Sequence, residues 1–262
     1  MRPVRFAHIS DTHIGPDREA VRYGAQPAAC LARVLEEIAG LAAPVDFILH
    51  TGDVAADPDA GAYRLTAELF APYEMPCYFV AGNHDDPTLL AEGLSMGSRE
   101  ALPTGAPWLT YTFECRDQRF LVLGAEAPPE IEPHGRLGAA VLDTVDDVLR
   151  QPGSWTVILH YPPLPLDCAW IDREMLLTDG EALHRRLLSY RDRLRGVLFG
   201  HVHRTVSLTR DGILYASAGS TFSRFNIGSS DECMVFEPNA CPEWSLVTIA
   251  NDHLLVRPHL LA

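Results

Sequence analysis

Lysine is absent from this sequence: all 21 basic residues are arginine. That excludes a Schiff-base lysine and the lysine of a Walker-type phosphate loop. The chain also lacks any apolar run near the ~18 residues of a membrane span. No Gly/Ser-rich linker, internal repeat or low-complexity tract divides it, and none of the six cysteines forms a CxxC pair. In a chain of 262 residues the thiols read as reduced and mostly buried, in a cytoplasmic protein. The N-terminal Met1-Arg2-Pro3-Val4-Arg5-Phe6 lacks the apolar run of a signal peptide and leads straight into a strand pattern. Thirty-five acidic residues against 21 arginines leave a net charge of -14, which disfavours stable binding to a long polyanion or an anionic membrane.

What is present is an alternation of apolar periods. Strand-like runs at Val4–Ser10, Val45–Thr51, Cys77–Ala81, Thr156–Leu159 and Gly196–Phe199 are interleaved with helix-like periods. The helical periods are Pro27–Ala42, Ala62–Phe70, Ala139–Leu149 and Glu181–Tyr190. Leu109–Glu114 and Phe120–Gly124 read as a hairpin. Beyond about residue 205 only strands are expected, at Val206–Thr209, Ile213–Ala216, Cys233–Glu237 and Ser245–Ile249. One α/β domain over residues 1–262 is the simplest organisation, with a largely parallel core and antiparallel strands added at the C-terminal end.

The polar residues fall at the carboxyl ends of the five interleaved strands, the edge where open α/β sheets bind ligands. These ends read Ser10-Asp11-Thr12-His13, Thr51-Gly52-Asp53, Gly82-Asn83-His84-Asp85, His160-Tyr161-Pro162 and Gly200-His201-Val202-His203. Each block alone is a common turn or loop; five in succession are not. Carboxylate, imidazole and carboxamide together suit first-row metals such as Mn, Fe, Co or Zn. Asp11, His13, Asp53, Asn83, His160, His201 and His203 are seven candidates, enough for two ions sharing one carboxylate. Asp53 is the better bridge, lying mid-set with no adjacent histidine. Two ions ~3.5–4 Å apart form a clamp for phosphoryl displacement.

This set resembles the calcineurin-like metallophosphoesterase superfamily, over residues 4 to 249. The resemblance implies a four-layer αββα sandwich of two mixed sheets with two metal ions at the strand ends. It places Asp11, His13, Asp53 and His203 on one ion and Asp53, Asn83, His160 and His201 on the other. It makes His84 the group that meets the phosphate and protonates the leaving oxygen, with Asp85 orienting it. The run Ile9-Ser10-Asp11-Thr12-His13-Ile14 and His160-Tyr161-Pro162-Pro163 resemble the compact phosphodiesterases that include class III cyclic-nucleotide and glycerophosphodiester enzymes. Gly219-Ser220-Thr221-Phe222 is similar, more loosely, to their substrate-side loop, and Tyr161 stands where many relatives carry histidine.

The implied reaction is hydrolysis of a small phosphodiester by hydroxide activated between the two metals. A phosphomonoesterase, a nucleotide pyrophosphatase, a nuclease and a catalytically silent scaffold are the alternatives. A small phosphate ester is the expected partner, and a homodimer is possible.

Asn83, His84, Tyr161 and Arg204 are the substrate-binding candidates. Arg204 has a surface ion pair as its alternative, and Asn226 is a further pocket candidate. His8 and His50 read as core histidines. His184, beside Arg185-Arg186, reads as part of a solvated face. Trp170 with Met175, Leu176 and Leu177 reads as a lid, a dimer contact or ordinary packing.

Overall fold

The structure is a computed structural model that describes residues 2–105, 109–237 and 240–261. Two mixed β-sheets carry the architecture. The first has strand order β12-β11-β1-β2-β3, formed by β1 (Val4–Ile9), β2 (Phe47–His50), β3 (Cys77–Phe79), β11 (Glu243–Ala250) and β12 (His253–Leu260). The second has order β4-β5-β6-β7-β8-β10-β9. Its strands are β4 (Glu100–Ala101), β5 (Tyr111–Cys115), β6 (Gln118–Val122), β7 (Ser154–Ile158), β8 (Leu194–Phe199), β9 (Ser207–Arg210) and β10 (Ile213–Ser217). Strands β1, β2 and β3 are parallel, as are β6, β7, β8 and β10; the outer pairs are antiparallel.

Side-chain alternation along the strands explains the layering. Val4, Phe6, Phe47 and Leu49 of the first sheet meet Phe113, Phe120, Val122 and Ile158 of the second in one dry core. Phe6 stacks on Phe47 at 4.6 Å, and Phe113 stacks on both Tyr78 (3.6 Å) and Phe120 (4.5 Å). The alternate residues Ala7, Ile9 and Ile48 face the other way, toward α1 (Pro27–Ala39), α2 (Ala60–Phe70) and α3 (Pro87–Gly93). On the far side of the second sheet, Leu121, Val157 and Val197 pack against α4 (Gly138–Leu149), α5 (Ala169–Glu174) and α6 (Gly180–Leu188). The result is the four-layer αββα sandwich.

The helices have local causes. Pro27 opens α1, whose buried Leu31, Val34, Leu35 and Ile38 lie on one stripe. Asp59 caps α2 and Asp86 caps α3, each carboxylate accepting backbone N–H groups of the first turn.

Two expectations need correction, one open reading resolves to ordinary packing, and one strand is new. Cys233–Glu237 is not a strand; only Phe236 makes a bridge there, to Phe225. The Asn226 side-chain amide takes up the Cys233 carbonyl and the Val235 N–H, backbone groups that a strand partner would otherwise meet. His184 is buried rather than solvated, with Nδ1 2.7 Å from the Tyr215 hydroxyl and Nε2 3.0 Å from Asp211. Trp170 is a core residue, packed on Phe225 with its indole N–H donating to the Asn226 carbonyl. Strand β12 was not anticipated, because Arg257 and Pro258 interrupt its apolar pattern.

His8 and His50 are fully buried in β1 and β2, and burial drives both down to about 3. Each stays neutral in the fold, while the unfolded chain takes up a proton below about pH 6.5. The unfolded state therefore binds more protons between about pH 6.5 and 3, and stability falls as pH falls through that window. Each histidine contributes a slope of about 1.4 kcal/mol per pH unit. Urea unfolding between pH 7 and pH 5 should show this loss, and His8→Asn should flatten the slope.

Candidate metal centre

The two sheets bring their strand ends to one edge. Asp11 and His13 follow β1, Asp53 follows β2, and Asn83 and His84 follow β3. His160 follows β7, and His201 and His203 follow β8. Five of these residues have left-handed backbones: Asp11 (φ 52°), His13 (43°), Asp53 (55°), His201 (71°) and His203 (51°). Such conformations are costly for non-glycine residues, and their concentration here marks a site whose surroundings enforce them.

The enforcement is visible in the hydrogen bonds. Asp11 N–H donates to Gly52 O and His13 N–H to Asp53 O, each at 2.9 Å. Asp11 Oδ2 accepts from His201 N–H, and Asp53 Oδ1 from His84 N–H, both at 3.0 Å. Gly200 permits a close approach: a Cβ there would overlap Ser10 Oγ and sit 2.8 Å from Thr51 O.

The ligand atoms form two clusters that share Asp53. In one, His13 Nε2 lies 3.5 Å from Asp53 Oδ2 and 3.2 Å from His203 Nε2, which is itself 3.6 Å from Asp11 Oδ1. In the other, His160 Nε2 lies 3.5 Å from Asp53 Oδ1, 3.0 Å from His201 Nδ1 and 3.3 Å from Asn83 Oδ1. The outer nitrogens are anchored, His160 Nδ1 to Thr51 O at 2.6 Å and His203 Nδ1 to Ser223 Oγ at 2.7 Å. Since a carbonyl only accepts, His160 Nδ1 carries the proton and, in the neutral ring, Nε2 turns a lone pair inward.

This set fits cations. Asp11 Oδ1 and His201 Nε2 are buried with no hydrogen-bond partner among the described residues. Burial pushes the Asp11 carboxyl up to about 7, and the Asp53 charge adds to it. Burial alone would also raise Asp53, but His160, then His13 and His84, hold it well below the usual carboxylate range. Burial drives His13 and His201 well below the usual imidazole value and His203 to about 3. Burial opposes a charge on His160 too, yet the neighbouring carboxylates lift it to about 9. Acceptors crowd together here with few donors, the arrangement a divalent cation resolves.

Three further expectations change. Asp85 does not orient His84. Its carboxylate accepts from the N–H groups of Val54 (3.1 Å), Ala55 (3.0 Å) and Gly82 (3.0 Å) and from the Tyr63 hydroxyl (3.1 Å). It ties the loops after β2 and β3 together and is a positioning residue. His84 is instead held by the Ala56 carbonyl, 2.8 Å from its Nδ1.

Tyr161 does not line the cavity. It is fully buried, with its ring against those of His160 and His201, both at 4.9 Å. Arg204 pairs with Glu237 and is absent from the cavity wall. The Asn226 amide is likewise engaged, with Cys233 O and Val235 N–H.

A cavity of about 160 Å³ opens over the centre, lined by His13, Asp53, Asn83, His84, His201 and His203. Its outer wall holds residues that sequence reasoning missed, chiefly Arg22, Tyr23, Phe225 and Phe236. Nothing in the sequence separates Arg22 from Arg18; only the fold of the loop after β1 aims it inward.

A family model described as calcineurin-like phosphoesterase matches residues 4–205. The chain belongs to that family. As a calcineurin-like phosphoesterase it is an enzyme acting on phosphate esters, in a family that uses divalent metals. Among its relatives, the 3′,5′-cyclic adenosine monophosphate phosphodiesterase CpdA of Haemophilus influenzae is 27% identical over 255 residues, spanning 95% of this chain and 86% of the relative. CpdA of Escherichia coli strain K12 is 29% identical over 254 residues, spanning 94% and 82%. A cAMP/cGMP dual specificity phosphodiesterase of Mycobacterium tuberculosis is 34% identical over 224 residues, spanning 82% and 66%. A solved dimetal phosphatase from Danio rerio shares the fold, with a TM-score of 0.70 at 16% identity over 98% of this chain and 96% of that one.

Asp85→Asn would turn an amide donor toward at least one of the four donors that the carboxylate now satisfies. A destabilisation of about 2–3 kcal/mol is expected, read as a lowered thermal midpoint. Tyr63→Phe, which removes only the hydroxyl, should lose less.

Proposed function

We propose that this enzyme hydrolyses the phosphodiester bond of 3′,5′-cyclic nucleotides at a two-ion centre. The observation that carries the two-ion part is the position of Asp53, with one carboxylate oxygen facing each ligand cluster. Asp11, His13, Asp53 and His203 would hold one ion, and Asp53, Asn83, His160 and His201 the other. Bound ions supply Lewis acidity, which polarises phosphoryl oxygens and makes water a nucleophile near neutral pH. Donors of this type suit Mn, Fe, Zn and Co alike. The choice of cyclic nucleotides rests on the CpdA relatives.

The protein's own groups complete the chemistry. His84 donates Nδ1–H to Ala56 O, which leaves Nε2 to carry a proton to the departing ester oxygen. Asn83, beside it, can donate its amide N–H to a non-bridging oxygen while its Oδ1 faces the centre. Arg22 brings a permanent positive charge to the wall, in a chain with no lysine to do so. Four ligands come from one sheet and three histidines from the other, so residues 1–262 act as one catalytic unit. All six cysteines are free, which fits a reducing compartment, and we place the enzyme in the cytoplasm.

Metal analysis of the purified chain after supplementation should find two ions per chain, and Asp53→Asn should lose both. Retention of one full site in that variant would remove the bridge. His84→Ala should keep both ions and lose at least about 100-fold in kcat on diesters with poor leaving groups. Among substrates, 3′,5′-cAMP should be cleaved faster than p-nitrophenyl phosphate; faster cleavage of the monoester would overturn the diesterase assignment.

A further inference from the structure

We propose that Tyr23 and Phe236 form the seat for the nucleobase at the outer end of the metal cavity. This rests on the cyclic-nucleotide reading and adds the element that selects a base-bearing diester over an aliphatic one.

An aromatic wall runs outward from the metal ligands. Phe225 stacks on His203 with ring centroids 4.1 Å apart, Phe236 meets Phe225 edge-on at 4.8 Å, and Tyr23 stacks on Phe236 at 3.6 Å. All three aromatic residues line the cavity that holds His84 and Asn83. Tyr23 is 51% exposed and also stacks on Phe222 at 6.3 Å. Six large apolar side chains are exposed among the described residues. Four of them, Val21, Tyr23, Met234 and Val235, belong to the two loops that bring this pair together. Tyr23 and Met234 also line the cavity, and exposed apolar side chains at a catalytic cavity mark a ligand surface.

The backbone beneath Tyr23 points the same way. Arg22 and Ala25 exchange both backbone hydrogen bonds, at 2.9 and 3.0 Å, and the two residues between them, Tyr23 (φ 51°) and Gly24 (φ 81°), are both left-handed. In such a two-residue turn the first position favours asparagine, aspartate or glycine. A tyrosine there is strained, so its side chain has a use other than making the turn.

The mutual stack uses one face of each ring, so the seat lies on the outer side of the pair, where a base adds to the stack. The nearby Asn226 amide is already engaged by Cys233 and Val235. Stacking on a face tolerates any base, so adenine and guanine should be accepted about equally. The Arg22 guanidinium lies over the Tyr23 ring, 5.2 Å from its centroid, and lines the same cavity, so a cation borders the seat.

The test measures binding to the metal-loaded full chain by calorimetry, with 5′-AMP, 5′-GMP and ribose 5-phosphate, alongside turnover of 3′,5′-cAMP. The parent should bind 5′-AMP and 5′-GMP within about threefold of each other and roughly tenfold or more tighter than ribose 5-phosphate. Tyr23→Asn, which suits the turn, should keep or raise the thermal midpoint. It should weaken 5′-AMP about tenfold, leave ribose 5-phosphate unchanged and raise KM for cAMP more than it lowers kcat. Phe236→Leu should act in the same direction.

Equal affinity of the parent for 5′-AMP and ribose 5-phosphate would overturn the base seat, as would a Tyr23→Asn variant that weakens both equally. A Tyr23-dependent preference for 5′-AMP without any cleavage of cyclic nucleotides would uphold the seat and overturn the cyclic-nucleotide reading.

Discussion

The structure turns on a crowd of electron pairs. Two carboxylates, a carboxamide oxygen and four imidazoles converge in two adjoining clusters with contacts of 3.0 to 3.6 Å, nearly all of them shielded from water. In the low-dielectric interior such a gathering repels itself unless positive charge enters. The left-handed turns, the cross-linked loops and the Gly200 close approach hold the crowd in place. A site that would otherwise spring apart is thereby kept ready to take cations.

The inter-sheet core sets the scale of that site. Asp11, Asp53 and Asn83 ride on one sheet and His160, His201 and His203 on the other, so sheet spacing decides whether they meet. Stacked and edge-on rings between the sheets, from Phe6 through Phe47 to Phe113 and Phe120, resist sliding as well as separation. Packing far from the centre is in this sense part of the centre, and the same rigidity keeps His84 and the cavity wall in register with the ligands.

Much of this was legible in the sequence, for physical reasons. The buried strands announce themselves as short apolar runs, and each metal-facing residue directly follows one, so order along the chain maps onto place in space. Asp11, Asp53 and His203 could be found because chemistry demands those residue types at strand ends. The misreadings share a different cause. Asp85, Tyr161 and Arg204 lie adjacent in sequence to site residues, but adjacency says nothing about direction. Asp85 turns back to backbone amides, Tyr161 into the core and Arg204 to Glu237. Arg22, Tyr23 and Phe236 went unseen because loops without periodicity carry no signal of where they fold. Their proximity joins segments about 200 residues apart.

One contact has an implication for how the site tolerates change. The Ala56 carbonyl accepts from His84 Nδ1 and, at 3.4 Å, from Arg22. That carbonyl is itself fixed by the ladder between the loops after β1 and β2, where Ala56 N–H donates to Ile14 O and Ile14 N–H to Val54 O. Every amino acid has a main-chain oxygen, so replacing the side chain at position 56 leaves the acceptor present. The orientation of the proton-carrying histidine is thus written into chain geometry instead of side-chain identity. Sequence drift at position 56 can proceed without disturbing it, while an insertion or deletion in either loop would shift it at once.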